Sequence, residues 1–440
     1  MRPLKLLALT VAFLGLAGLA SAQVGIIVTT INRVSLRVGP GTNFERIAIL
    51  DVGTPVALDG RNSDGVWVRG ITSSGQVGWL AVQFTRGASR DAVLALPQIA
   101  PDAPISVAAP PGAPAPVASA GGNPSPAAPA GRSAVRGFSY GGHVAGLDDF
   151  AVEQMRRAGM TWVKKQVRYQ FGMDANGFAG MINDVHARGF RILIGLVGER
   201  DQLYQAGFFD QYAAFAAGLA ALGADAIEVW NEPNIDREWP AGQINGARYT
   251  ELLAVTYNAI KARNPNTLVI SGAPAPTGFF GGGCAESGCD DAPFLRQMAQ
   301  AGAARYMDCV GVHYNEGILP PTATSGDPRT PFYTRYYRGM VDVYYNAFNR
   351  SRPLCFTELG YLSPEGYGPL PPAFGWAANV TVAQQAAWLD QVVDMARRSG
   401  IVRVLIIWNV NYTGYGDDPQ AGYAIIRPGG ICPACDALGR

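Results

Sequence analysis

From Gly137 onward the chain alternates short β-type runs with longer amphipathic stretches, and this alternation constrains the fold more than any other feature. The strand-like runs are Gly137–Gly142, Trp162–Arg168, Arg191–Val197, Ala226–Asn231, Leu268–Gly272, Cys309–His313, Leu354–Glu358 and Val402–Trp408. Between them, apolar residues recur at helical spacing over Leu147–Arg157, Met181–Ala187, Tyr212–Leu222, Arg248–Arg263, Ala292–Ala301, Arg335–Asn349 and Val382–Arg398. Eight strands alternating with helices in about 300 residues predict an α/β fold, a (β/α)8 TIM barrel over 136–440. A doubly wound sheet is the competing arrangement, but no Gly-rich phosphate loop follows the first strand.

In such a barrel the active site forms at the C-terminal ends of the strands, and polar residues crowd those ends here. His143 follows the first strand, Arg168 and Tyr169 the second, Asn231 and Glu232 the fourth. His313, Tyr314 and Asn315 follow the sixth, Glu358 the seventh, and Trp408 and Asn409 the eighth. The chain has only 3 histidines, and two of them fall at strand ends, which a random surface would seldom arrange. Strands four and seven lie across the barrel mouth, so Glu232 and Glu358 are placed to face one another over a sugar. Glycoside cleavage needs such a pair, one carboxyl protonated to assist the leaving oxygen and one ionised to attack. A lone glutamate at a strand end serves equally well as a structural carboxylate. Glu228, four residues before Glu232, is expected to be a buried structural partner. Glu199, Asp201, Asp236, Glu238 and Glu316 sit on rim loops, as solvated charge by default or as contacts to sugar hydroxyls.

The segments Glu228-Val229-Trp230-Asn231-Glu232-Pro233-Asn234 and Phe356-Thr357-Glu358-Leu359-Gly360 resemble the two signature segments of glycoside hydrolase clan A. The resemblance covers residues 137 to about 430 and is nearest to family 39 and related endo-acting enzymes on exopolysaccharides, or to family 5. It implies Glu232 as acid/base and Glu358 as nucleophile in a retaining, double-displacement hydrolysis that needs no metal or organic cofactor. It further implies that Asn231 meets the sugar 2-hydroxyl, that Tyr314 hydrogen-bonds the nucleophile, and that Arg168 orients Glu358 and helps ionise it. His313 would line the subsite beside the reacting sugar. His143 and Asn409 join the substrate-binding set from their strand ends. Trp408 would be the floor on which a ring stacks, or else a core aromatic capping the barrel.

Ahead of the barrel, residues 23–87 carry short β-type runs cut by Gly39-Pro40-Gly41, Asp51-Val52-Gly53 and Ser73-Ser74-Gly75, predicting a small all-β barrel of about five strands. Leu36-Arg37-Val38-Gly39-Pro40-Gly41, Gly53, Trp67 and Gly78-Trp79-Leu80 resemble the bacterial SH3-like family. That resemblance implies a module attaching to cell-wall or glycan targets, with Trp67 and Trp79 either core aromatics or ligand contacts. Residues 88–135 are rich in Pro and Ala and predict an extended linker. Residues 1–22 are expected to be a signal peptide. Arg2 and Lys5 precede the apolar run Leu6–Ala20, which is short for a span, and Ala20-Ser21-Ala22 forms the cleavage site.

Export permits disulfides, and Cys284–Cys289 and Cys432–Cys435 are spaced to clip local loops. Such spacings also occur in tetrathiolate zinc sites. Cys309, four residues before His313, shares its face in a regular strand, whereas Cys355, three before Glu358, opposes it. That parity predicts two unpaired core thiols. A formal net charge of +1 offers no general attraction for nucleic acid or an anionic membrane. The expected partner is a polysaccharide, bound by a secreted monomer. A transglycosylase with the same residues and a non-catalytic glycan-binding protein are the competing readings.

Overall fold

The computed structural model describes residues 26–99, apart from 32, 43, 45 and 73–75, and residues 137–440. The expected signal peptide and most of the expected linker lie outside the described residues. The chain divides into two compact units, Met1–Gly121 and Gly122–Arg440.

The front unit is one antiparallel sheet of β1 (Ile26–Thr30), β2 (Val34–Arg37), β3 (Arg46–Leu50), β4 (Pro55–Arg61), β5 (Trp67–Thr72), β6 (Val77–Ala81) and β7 (Thr85–Arg86). Its order is β3-β2-β6-β5-β4-β1-β7, two strands more than the turn signals predict. β1 is legible as alternation only faintly, because Ile26 and Ile27 are adjacent, and β7 is a two-residue edge. Alternate residues Val34, Leu36, Val56, Leu58, Val68 and Leu80 face one core. Trp79 is 2% exposed and belongs to the interior, while Trp67 is half-buried. The start of the expected linker is ordered. Residues Arg90–Leu94 form helix α1, capped by Ser89, and Val93 enters the same core. Ile99 N donates to Arg61 O at 2.9 Å, so the segment to residue 99 lies along β4.

The second unit runs β8 (Ser139–His143), α2 (Asp149–Arg157), β9 (Trp162–Tyr169), α3 (Ala179–Ala187), β10 (Arg191–Gly198), α4 (Phe208–Ala221), β11 (Ala226–Val229), α5 (Gly246–Arg263) and β12 (Leu268–Ser271). A small hairpin, β13 (Cys284–Ala285) and β14 (Gly288–Cys289), precedes α6 (Asp291–Gln300). Then come β15 (Val310–Tyr314), α7 (Tyr337–Ala347), β16 (Leu354–Leu359), α8 (Val382–Ser399), β17 (Val402–Ile407), α9 (Gln420–Tyr423) and α10 (Pro433–Leu438). The eight long strands are parallel, in the order β12-β11-β10-β9-β8-β17-β16-β15. A bridge between Ile270 and Cys309, reinforced by Ser271 N donating to Cys309 O at 3.1 Å, nearly closes the ring. Local chemistry fixes two helix starts: Asp148 caps α2, two residues past the expected start, and Thr381 with Gln384 forms a capping box on α8.

Each strand is buried on both faces, which is why these segments are apolar almost throughout. Outward residues such as Val163, Ile194, Ile227, Val312, Phe356 and Leu405 pack beneath the helices. Inward residues Trp162, Leu193, Ala226, Leu268, Ile270, Cys309, Cys355, Val404 and Ile406 fill the barrel floor. Burying each large apolar side chain contributes about 1.5–3 kcal/mol. Two residues further along the strands the interior turns polar, with Lys164, Glu228 and Thr357 all fully buried.

All six cysteines are disulfide-bonded: Cys284–Cys289, Cys432–Cys435 and Cys309–Cys355. The last corrects the expectation of two unpaired thiols. Val312 pairs with Phe356 and His313 with Glu358, so the register skips Thr357. This bulge turns both Thr357 and Glu358 toward the interior. Parity counted back from Glu358 is therefore off by one, and Cys355 shares the barrel floor with Cys309, their Cα atoms 5.8 Å apart. The tetrathiolate alternative is excluded by the same pairings.

Candidate active site

β11 stops at Val229, two residues earlier than expected, because the next residues leave extended geometry. Trp230 and Glu232 adopt left-handed φ values of 76° and 44°. Such conformations cost on the order of 1–3 kcal/mol each for non-glycine residues and persist only where surrounding contacts hold them. Here Trp230 Nε1 donates to Glu238 O at 3.1 Å, and Glu232 N donates to Ala273 O at 2.9 Å. Asn234, fully buried, donates to Ala275 O and Cys289 O, both at 3.0 Å, tying this turn to the hairpin. The turn aims the Glu232 carboxyl into the barrel mouth.

His313 joins the carboxyl groups. Its Nδ1 lies 3.1 Å from Glu232 Oε1 and 3.9 Å from Glu358 Oε2, while its Nε2 lies 3.7 Å from Glu228 Oε1. Burial opposes a charge on this imidazole, but Glu358, Glu228 and Glu232 outweigh it and raise its pKa to about 10. His313 is thus an imidazolium at neutral pH. Lys164 supplies the second buried cation. Its Nζ sits 2.9 Å from Glu228 Oε2 and 3.3 Å from Glu358 Oε1, and donates to Thr357 O at 3.2 Å. Gly195 leaves room for this pair, since a Cβ there would meet Lys164 Cε at 3.1 Å and Glu228 Oε2 at 3.4 Å. Glu228 also accepts from Thr357 Oγ1 at 2.6 Å. Burial would raise the Glu228 pKa, but Lys164 foremost, with His313 and Thr357, lowers it to about 2. It is the structural carboxylate expected.

Glu232 is buried, which favours its neutral form, yet His313 and then Arg237 hold its pKa below the ordinary value. Arg237 Nη2 reaches Glu232 Oε2 directly, from a side chain that is 67% exposed. His143 lies with Nδ1 3.9 Å from Glu358 Oε1, its Nε2 hydrogen-bonded to Tyr412 OH at 3.0 Å. Burial foremost, then Lys164, drives the His143 pKa well down, so this imidazole is neutral. Trp408 is partly buried, its ring 4.8 Å from His143 and 5.0 Å from Tyr412. Asn231 is also buried at the mouth, and its Oδ1 makes no hydrogen bond among the described residues.

The geometry brings Glu232, Glu358, His313, His143, Asn231 and Trp408 to one end of the barrel and corrects three expected roles. Arg168 does not reach Glu358. It stands four residues beyond Lys164 on β9, about 13 Å further along the strand, and its Nη2 lies 3.5 Å from Glu238 Oε2. Tyr314 alternates outward from His313, its hydroxyl donating to Arg335 O at 3.2 Å among Tyr337 and Tyr361. Asn315 makes the contact expected of Tyr314, with Nδ2 donating to Glu358 Oε2 at 3.3 Å. Asn409 is fully buried and engaged in its own loop, donating to Gln420 O at 2.9 Å and accepting from Tyr412 N at 3.0 Å. Glu238, expected to be solvated, is 6% exposed. Sequence reasoning missed Lys164 because a lysine in an apolar run looks like a rim residue. Its parity with Trp162 was the available signal.

Among the described residues no group of His, Cys, Asp and Glu side chains is arranged to hold a metal ion, and no helix is long and apolar enough to cross a membrane.

No family model and no curated protein matches the chain. Solved structures similar to it include the endo-1,4-β-mannanase of Rhizomucor miehei, at 13% identity and a TM-score of 0.45, covering 70% of this chain and 97% of that one. An endo-β-1,4-glucanase of Xanthomonas axonopodis pv. citri is similar at 13% identity and a TM-score of 0.43, covering 69% and 98%. A GH113 β-1,4-mannanase is similar at 12% identity and a TM-score of 0.42, covering 70% and 99%.

Proposed function

We propose that this chain is an exported retaining glycoside hydrolase of clan A, endo-acting on a polysaccharide, with Glu232 as acid/base and Glu358 as nucleophile. One observation carries the reading: both carboxyl groups approach the same nitrogen, His313 Nδ1, at 3.1 and 3.9 Å. Those two distances sum to 7.0 Å, which bounds the separation of the two oxygens involved. Retaining pairs stand about 5–5.5 Å apart and inverting pairs about 6.5–9.5 Å, so the bound admits a retaining pair and only the short end of the inverting range.

In the first step Glu358 attacks the anomeric carbon while protonated Glu232 gives its proton to the departing oxygen. In the second, ionised Glu232 takes a proton from water, which attacks the glycosyl-enzyme with net retention. Lys164 and Asn315 hold the Glu358 carboxyl at its two oxygens, Oε1 and Oε2 respectively. Asn231, whose Oδ1 makes no hydrogen bond among the described residues, is suited to accept from a sugar hydroxyl, and the Trp408 ring to stack beneath a sugar. The front unit, as an SH3-like module, would attach the barrel to a glycan-bearing surface.

The test is turnover of a polysaccharide panel by the full chain, reading product size and anomeric configuration, with Glu358→Gln as control. Retained products shorter than the substrate, absent in the variant, are expected. Binding without turnover would favour a non-catalytic glycan-binding protein, and products longer than the substrate a transglycosylase.

A further inference from the structure

We propose that Arg237 is a two-position latch, closed on Glu232 in the free protein and swung onto Glu238 when the leaving sugar enters. The inference rests on Glu232 acting as acid/base. Both oxygens of Glu232 are occupied by protein donors: Oε1 faces the buried His313, and Oε2 faces Arg237. A general acid must present one oxygen, bearing the proton, to the glycosidic oxygen. Oε1 is sealed beneath the site, which leaves Oε2, and Arg237 covers it from the solvent side. The guanidinium therefore stands where the leaving sugar's oxygen has to arrive.

A second position waits beside the first. Arg237 Nε already lies 3.7 Å from Glu238 Oε1. Glu238 is buried and ion-paired through Oε2 to Arg168 at 3.5 Å, which leaves Oε1 as the oxygen facing Arg237. A buried carboxylate is costly unless closely paired, and burial raises the Glu238 pKa despite Arg168 and Arg237. A short rotation of Arg237 brings its guanidinium from 3.7 Å into hydrogen-bond reach of Glu238 Oε1. The Arg237 side chain is two-thirds exposed, so no core packing resists the move.

The swing links sugar entry to proton uptake. The charged or titratable groups facing Glu232 are His313, Arg237, Glu238, Glu358 and Tyr344. Arg237 is the cation among them that can leave. Its departure takes a positive charge from Oε2 and favours the protonated carboxyl required by the first step. Its return after the leaving sugar departs favours the carboxylate required by the second.

The first experiment needs no substrate. The ¹³C signal of the Glu232 side chain, assigned by its loss in Glu232→Gln, is titrated in the free full-length protein. Arg237→Gln should raise its midpoint by about one pH unit or more, and Arg237→Lys should hold it near wild type. The second experiment reads pH profiles on the polysaccharide turned over. In Arg237→Gln the alkaline limb of kcat/KM, which reports the free enzyme, should move up by the same amount, about tenfold in rate above it. The limb of kcat should stay, because the bound complex has already opened the latch. Glu238→Gln, lacking the second position, should raise KM about tenfold at unchanged kcat. The latch is overturned if the midpoint stays put in Arg237→Gln, if both limbs move together, or if Arg237→Gln raises KM. A midpoint shift in a protein that turns over no glycan would overturn the hydrolase reading and the sugar-driven swing, with the grip on Glu232 established.

Discussion

Removing Lys164 tests the electrostatic frame of the site most directly. Its ammonium is fully buried, 2.9 Å from Glu228 and 3.3 Å from Glu358. At an effective dielectric of about 20, the first contact alone carries about 6 kcal/mol of attraction. Desolvation offsets much of that in the wild type, but Lys164→Met would leave Glu228 buried without its main counter-charge. Breaking such a pair from one side typically costs about 3–5 kcal/mol, a fall in Tm on the order of 10 °C. The pH dependence sharpens the test. Glu228 has a folded pKa of about 2 against an ordinary value of 4.5. A depressed carboxyl contributes stability above its unfolded pKa and loses it as pH falls through the folded one. That contribution is about 3 kcal/mol at neutral pH and disappears between about pH 4.5 and 2. The deficit of Lys164→Met, measured by denaturant unfolding, should therefore be largest at neutral pH and shrink toward pH 2. Adding Glu228→Gln should recover a large part of it. A deficit below about 1 kcal/mol, or a double variant no more stable than the single one, would refute the buried-pair argument.

Glu358→Gln should abolish covalent trapping and activity, whereas Glu232→Ala should still be glycosylated by a nitrophenyl glycoside and be rescued by azide. The rescue product should be a glycosyl azide of retained configuration, and an inverted one would contradict the double displacement. His313 has a folded pKa of about 10 against an ordinary 6.5, so its contribution is complete below pH 6.5 and is lost as pH rises to 10. Unfolding measured across that window should show falling stability, and His313→Gln should flatten the trend. Replacing Cys309 and Cys355 by Ala should destabilise the barrel by about 4 kcal/mol on the chain-entropy model, for a separation of 46 residues. Non-reducing mass mapping that found either cysteine alkylated would contradict the pairing.

The strand and helix alternation, and the arrival of Glu232 and Glu358 at the ends of strands four and seven, were legible in the sequence. Both depend on local patterns, since a doubly buried strand must be apolar along its length and turn residues end it. Glu228 is buried as expected, but its inward position is fixed by β11 two residues above Ala226, Glu232 lying beyond the end of that strand. Three features depended on the folded barrel. Lys164, not Arg168, meets Glu358, because depth along the barrel axis decides which inward residue reaches the carboxyl. Asn315 takes the contact expected of Tyr314, because alternation turns Tyr314 outward beside the inward His313. Cys309 pairs with Cys355 because a bulge at Thr357 shifts parity by one residue, and a bulge is a property of two strands together.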